Sequence, residues 1–401
     1  MKRSSLAIAI TLAALPVAVI AGAAGAPGFS NIGLLGYGSG GSGYGTGSTG
    51  PGSTGPGSTG PGSTSPSPSP SPSPSPSPSP SPSPSPSPSI PNPTSCASSA
   101  PDAFLTNFYS GTVTPINTGA RTAGPLIPVG LHPVGIAITP DGKTAYVANI
   151  GSGTVTPITI ATCTAGTPIP VGSGPRRIAI TPDGKTAYVT NRDSGTVTPI
   201  NVATNTAGTP ITVGSGPGWI AITPDGKTAY VSNANSGTVT PIDIASGTAG
   251  TPIPVGHLPQ SITITSDGKT AYVSSIIDVP STGGGPPPPP MPAVTPISTA
   301  TNIAGTPIPL GYTGPDVAIT PDGKTIYVVD PGVGVTPIDI ASDIAGTPIP
   351  VGDARWIAIA PDGNTLYVFD ASSVIPVDVA TNTALPPIPV GSGYGQIAIV
   401  P

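Results

Sequence analysis

The chain has 401 residues, of which 60 are Pro and 55 are Gly, and only 7% are charged. Its formal net charge is −5 and it contains no Glu, which argues against a nucleic-acid surface driven by bulk charge. Most of the Pro and Gly excess precedes residue 100, so a fold must come from the remaining ~300 residues, enough to bury a full core.

Residues 1–26 read MKRSSLAIAITLAALPVAVIAGAAGA. Two positive charges, an apolar run and a small-residue Ala21-Gly22-Ala23 pattern predict a secretory signal peptide, with an uncleaved N-terminal anchor as the alternative. Either places the rest outside the cytoplasm, secreted or associated with the cell surface or wall, with membrane contact only through this segment. Residues 27–64 are rich in Gly, Ser and Thr and carry the unit GPGST. That composition predicts a flexible linker. Residues 65–100 form a Ser-Pro-rich spacer, opening with twelve Ser-Pro pairs at 65–88. Pro fixes its own φ and pushes the residue before it to extended geometry, so a polyproline II rod is expected.

From residue 101 onward the chain is a tandem array. The phrase IAITPDGKTAYV starts at Ile136, Ile178 and Ile220, and recurs in altered form at Ile262, Val317 and Ile357. The chain ends on IAIVP, the opening of a seventh copy. The starts lie 42, 42, 42, 55, 40 and 40 residues apart. Within one repeat, IAIT, TAYVAN, TVTPITI and TPIPVG are separated by turn residues. Four short strands per ~40-residue repeat predict β-propeller blades. The Asp-Gly of PDGK suits a tight hairpin.

Residues 103–135 match residues 145–177 at a constant offset of 42. This front fragment has the second, third and fourth strands of a blade and lacks the first, which the final IAIVP supplies. The expected fold is therefore all-β: a seven-bladed β-propeller over 101–401, of four-stranded antiparallel blades, with one blade split between the two ends of the array. Phe104, Tyr146, Tyr188, Tyr230, Tyr272, Tyr327 and Tyr367 recur at one place in the second strand and are expected to pack between blades. In the fourth strand, Pro168 and Pro170 should line the outer edge and prevent pairing with another chain. The Pro of each third strand, such as Pro157, should cost one ladder bond per blade.

Loops after the first and third strands share one face and are nearly constant; those after the second and fourth share the other and vary. Scaffold on one face and recognition on the other are implied. The residues before each first strand, Gly135, Arg177, Trp219, Ser261, Asp316, Trp356 and Gln396, should ring the channel mouth. Arg176 and Arg355 lie one position earlier, and His257 lies on the same face. Arg and Trp are frequent anchors of binding surfaces. The alternative is that the Trp residues fill the channel and the Arg residues are solvated. The fourth repeat carries a longer loop, IIDVPSTGGGPPPPPMPA, either a tolerated insertion or a polyproline II ligand. Cys96 and Cys163 fall on the constant face of neighbouring blades, where a disulfide is expected, two unpaired thiols being the alternative.

The motif PDGKTAYVTN followed by SGTVTPINVATNTAG resembles the YVTN β-propeller repeat of exported and surface-layer proteins. The resemblance covers about residues 101–401 and implies the propeller fold and an extracytoplasmic setting. Related propellers include lactone hydrolases and metal oxidoreductases, but their acid/base and His-rich metal sites find no matching positions. The Asp of PDGK recurs at separate blades on the constant face, as a turn cap would. No metal site, cofactor or nucleic-acid partner is expected. The preferred reading is a non-catalytic binding scaffold on a stalk, taking a cell-envelope protein or glycan through Arg176, Arg177, Trp219, His257, Asp316, Arg355, Trp356 and Gln396. A lactonase-like hydrolase at the channel mouth and a purely structural envelope protein are the alternatives.

Overall fold

The computed structural model describes residues 101–279, 288–310, 316–330, 332–342, 344–370, 372–390 and 395–401. The leader, linker and Ser-Pro spacer, Cys96, and residues 280–287 of the long loop lie outside the described residues. The rest is a seven-bladed propeller of antiparallel sheets. We call the blades, in chain order, the split blade and blades one to six.

The split blade closes the ring as the repeat arithmetic requires. Its second strand, Ala103–Asn107, pairs with the C-terminal Ile397–Ile399 through Ala103–Ile399, Phe104–Ala398 and Leu105–Ile397. The first strand of that blade thus comes from the opposite end of the array. Ile397 is buried in the core beside Leu105 and Ala103.

The repeated aromatics fill the spaces between blades. All seven are at most 9% exposed. The hydroxyl of Tyr146 donates to Asn205 Oδ1 of the next blade at 2.6 Å, and Tyr230 and Tyr327 reach Asn302 and Asn382 in the same way. These Asn residues stand at φ values of 53–55°, in the left-handed position of the turn between third and fourth strands. Asn tolerates that region better than most residues, and its amide oxygen satisfies a buried hydroxyl.

The Asn that closes the YVTN motif ties strand to strand. Asn149 donates through Nδ2 to Thr156 and Thr154 of the third strand, and its Oδ1 accepts the N–H of Gly130. The recurring Thr-Val-Thr therefore supplies acceptors for the recurring Asn.

The third-strand Pro also finds its explanation. Pro157 faces Tyr146 on the inner side, while its carbonyl accepts Gly166 N–H from the outer strand. In an antiparallel ladder a residue's N–H and C=O point to the same neighbour, so the missing donor of Pro157 faces outward. The outer strand is interrupted there. Ile158 pairs with Ala165, but Val155 pairs with Ile169, so residues 166–168 oppose only 156–157. This is a bulge, and the inner ladder expected to lose a bond loses none. The expected single fourth strand is consequently two short pieces, Thr164–Ala165 and Ile169–Pro170. Pro168 and Pro170 are exposed and Ile169 is buried, as an outer edge blocked by Pro requires.

Each PDGK turn is capped by its own Asp. Asp141 accepts Thr139 Oγ1 at 2.6 Å and Lys143 N–H at 3.1 Å, and Gly142 takes φ 67° between them.

Candidate functional site

The first strands line the central channel, and the residues just before them meet at its mouth. In blades one to three the first strand carries a register shift at that point, as between Pro175 and Ile178. The shift leaves one N–H out of the ladder. In blades two and three the third residue of the YVTN motif satisfies it: Arg177 N–H donates to Thr190 Oγ1, and Trp219 N–H to Ser232 Oγ, each at 3.0 Å. Gln396 N–H donates to Thr106 Oγ1 in the split blade. The same hydroxyls reach onward to the next blade, Thr190 to Gly218 O and Ser232 to Gln260 O. Sequence reasoning missed these hydroxyls. Their signal was the Thr or Ser at the third motif position, which only the register shift makes meaningful.

Three ring residues act as clamps between blades. Ser261 Oγ accepts the N–H of Val317, Asp316 Oδ2 that of Ile357, and Gln396 Oε1 that of Ile136. In each case a side-chain oxygen of one blade takes the first-strand N–H of the next. Asp316 Oδ1 also accepts Ser261 Oγ and Val317 N–H, both at 3.1 Å. The Asp316 side chain is buried, and burial pushes its pKa up to about 6, opposed by the Ile357 N–H, the Arg177 charge, the Ser261 hydroxyl and the Val317 N–H. Gly135 has a different constraint. A Cβ there would stand 2.3 Å from the carbonyl oxygen of Arg176.

The other three fill the mouth. Trp219 and Trp356 come from blades three and six, yet their ring centroids are 6.1 Å apart, tilted by 36°. The Arg177 guanidinium lies 4.5 Å from each centroid, and that of Arg176 5.0 Å from Trp219. A desolvated cation over an indole contributes up to about 2 kcal/mol. Trp219, Trp356 and Arg177 are 7%, 6% and 4% exposed. Trp219 Nε1 is buried and has no hydrogen-bond partner among the described residues.

The remaining two predicted site residues lie nearer solvent. Arg355 makes a two-pronged contact with Asp353 Oδ2 from Nε and Nη2, at 3.2 and 2.7 Å. His257 is held on the long hairpin of blade four, through its N–H to Ile276 O and its Nε2 beside Asp278 Oδ2 at 3.0 Å. The structure thus brings Arg176, Arg177, Trp219 and Trp356 together, sets Asp316 and Gln396 between blades, and leaves His257 apart on its hairpin. Among the described residues no group of three or more His, Cys, Asp or Glu is placed to hold a metal. An open groove of about 560 Å³ lies at the rim instead, between 250–254 of blade three and 301–304 of blade four.

The family model described as lactonase, 7-bladed beta-propeller, matches residues 112–209. No curated protein matches the chain. Kuenenia stuttgartiensis hydrazine synthase is similar at 24% identity and a TM-score of 0.60, over 72% of this chain and 92% of that one. A functionally unknown protein from Desulfotomaculum acetoxidans is similar at 18% identity and a TM-score of 0.61, over 75% and 99%. A putative 6-phosphogluconolactonase from Bacteroides fragilis is similar at 18% identity and a TM-score of 0.58, over 76% and 99%. At these identities the likenesses establish the fold, a seven-bladed propeller, and nothing about chemistry.

Proposed function

We propose that the chain is an exported, stalk-displayed propeller of the YVTN-repeat type. It acts as a non-catalytic binding scaffold for a cell-envelope protein or glycan, through its variable-loop face. One observation carries this reading: the ring at the channel mouth is occupied with architecture. Ser261, Asp316 and Gln396 spend their oxygens on neighbouring blades, and the Trp219–Arg177–Trp356 group fills the opening. Recognition then falls to the flanking loops, through Arg176, Arg355 and His257, with Arg177 and the two indoles supporting them from beneath. A glycan array and a cell-envelope pull-down with the secreted chain test this. Substituting Arg176, Arg355 and His257 together by Ala should reduce capture at least tenfold while the melting temperature stays put. Undiminished capture by the triple variant rules out this face.

A second reading, a lactone hydrolase at the channel mouth, is favoured by the lactonase family match over 112–209. Hydrolysis of a lactone panel, followed by acid release, distinguishes it. Turnover lost in Asp316→Asn would replace the scaffold reading.

A further inference from the structure

Positive charge gathers at one junction of the ring. Beyond residue 100 the chain has five Lys and five Arg. Each of those Lys pairs with the Asp two residues before it, on the constant face, and Arg355 pairs with Asp353. Arg176, Arg177 and Arg192 all belong to blade two, on the variable face. Arg177 is buried between the two indoles. Arg176 lies over Trp219 of blade three. Arg192 follows Thr190 by two residues, which places it on the same side of the strand, and the Thr190 hydroxyl reaches Gly218 O of blade three. Arg176 and Arg192 thus both turn toward the approach to blade three.

That approach is bare. Residues 214–218 read GSGPG, where 130–134 read GLHPV, 172–176 GSGPR and 256–260 GHLPQ. It offers the guanidinium groups no carboxylate and covers them with nothing larger than Pro. Arg192 Nε is buried and has no hydrogen-bond partner among the described residues. A guanidinium donor withdrawn from water without an acceptor costs free energy, and like charges gathered at one junction repel. The four loops of this junction, 172–176, 191–195, 214–218 and 233–237, carry one carboxylate, that of Asp193. It is exposed and leans over Gly174, in the approach to blade two. An anionic acceptor from outside the chain meets both costs, and the planar fork of Arg suits the paired oxygens of a carboxylate or sulfate.

We infer that the junction of blades two and three binds an acidic glycan, whose carboxylate or sulfate groups are held by Arg176 and Arg192. This rests on the scaffold reading above and narrows its glycan to an anionic one. Calorimetric titration of the full chain tests it with an oligogalacturonate, a heparin oligosaccharide and a neutral malto-oligosaccharide of matched length. At least one acidic oligomer should bind, more weakly as salt rises, and the neutral one should not. Which acidic oligomer binds tells carboxylate from sulfate recognition. Arg192→Ala should weaken that binding about tenfold, the loss of one charge-assisted hydrogen bond. Asp193→Asn, which removes a repelling carboxylate, should tighten it about twofold. Blade three carries Ala234 and Asn235 at these places and makes the same turn, Ala234 N–H to Gly216 O as Arg192 N–H to Gly174 O, so both variants should fold. Equal binding of the neutral oligomer, binding unchanged in Arg192→Ala, or no binding of either acidic oligomer overturns the inference. Envelope capture that depends on Arg176, Arg355 and His257 despite such a result would leave the scaffold standing and strike only the acidic ligand.

Discussion

The carboxylate of Asp316 accepts the backbone N–H of Ile357 from the next blade at 3.1 Å. Its other oxygen serves Ser261 and Val317, so one side chain joins blades four, five and six. Burial lifts its pKa from 3.8 to about 6. Between those values the folded state holds a proton that the unfolded chain has released. Stability from this group is therefore complete below about pH 4, declines as pH rises through about 6, and is level above. Asp316→Asn should remove that slope, measured as unfolding free energy by denaturant titration from pH 4 to 8. A variant that keeps the slope would assign it to another group. At neutral pH, Asp316→Ala strands buried N–H groups and should cost about 1–3 kcal/mol.

The turn aspartates act with the opposite sign. The Thr hydroxyl first, then the N–H and ammonium of the following Lys, hold Asp141, Asp183 and Asp267 down at about 2. A depressed carboxylate contributes above its unfolded pKa and loses that contribution as pH falls through the folded one. The acid limb of unfolding, from about pH 4 to pH 2, should thus persist unchanged in Asp316→Asn, and circular dichroism against pH reads it directly.

Tyr146 and Tyr188 are a matched pair for weighing the link between blades. Tyr146 donates to Asn205, whereas the turn residue at that place for Tyr188 is Gly247, at φ 65°. Tyr146→Phe should cost about 0.5–1.5 kcal/mol, and Tyr188→Phe close to nothing. A double-mutant cycle of Tyr146→Phe with Asn205→Gly, which keeps the left-handed turn, should recover a coupling of about 1 kcal/mol. Zero coupling would reduce the contact to packing.

The fold was readable because a propeller writes its geometry as a period. The offset of 42 between 103–135 and 145–177 located the split blade, and Pro168 and Pro170 announced the outer edge. What stayed hidden depended on register. Pro157 looked like a lost ladder bond until the bulge at 166–168 put its bare nitrogen on the outer side. Ring positions could be counted, but not the direction of their side chains. Asp316 and Gln396 look like ligand contacts in a sequence and turn out to clamp Ile357 and Ile136. Trp219 and Trp356 lie far apart in the chain, and only ring closure brings them to 6.1 Å.

Ring closure has its own test. The C-terminal strand contributes three residue pairs to Ala103–Leu105 and buries Ile397 to 2% exposure. One buried Ile is worth about 1.5–3 kcal/mol, against a total stability of about 5–15 kcal/mol for a domain. Deleting residues 397–401 also frees the inner edge of the split blade, a template for pairing between chains. The truncated protein should melt well below the full chain or aggregate, by calorimetry and size exclusion. An unchanged melting temperature would contradict the closure.

The junction between the split blade and blade one lacks the Tyr–Asn link, and the expected Cys96–Cys163 bond would stand in its place. Phe104 stands in place of the Tyr, and Cys163, at φ 52°, in place of the Asn. Cys163 packs beside Phe104 in one apolar cluster, and no free cysteine is found among the described residues. Its expected partner Cys96 precedes the described residues and would close a loop of 67 positions. Thiol titration of the unreduced protein should give none, and two after reduction and unfolding. Loss of the bond in Cys96→Ser/Cys163→Ser should cost about 2–4 kcal/mol. Replacing the pair with the sister arrangement, Cys96→Ser/Cys163→Asn/Phe104→Tyr, should regain about 0.5–1.5 kcal/mol of that loss through the new hydroxyl–amide bond. Two reactive thiols in the native protein would leave Cys163 as packing alone, and the triple variant would then be no less stable than wild type.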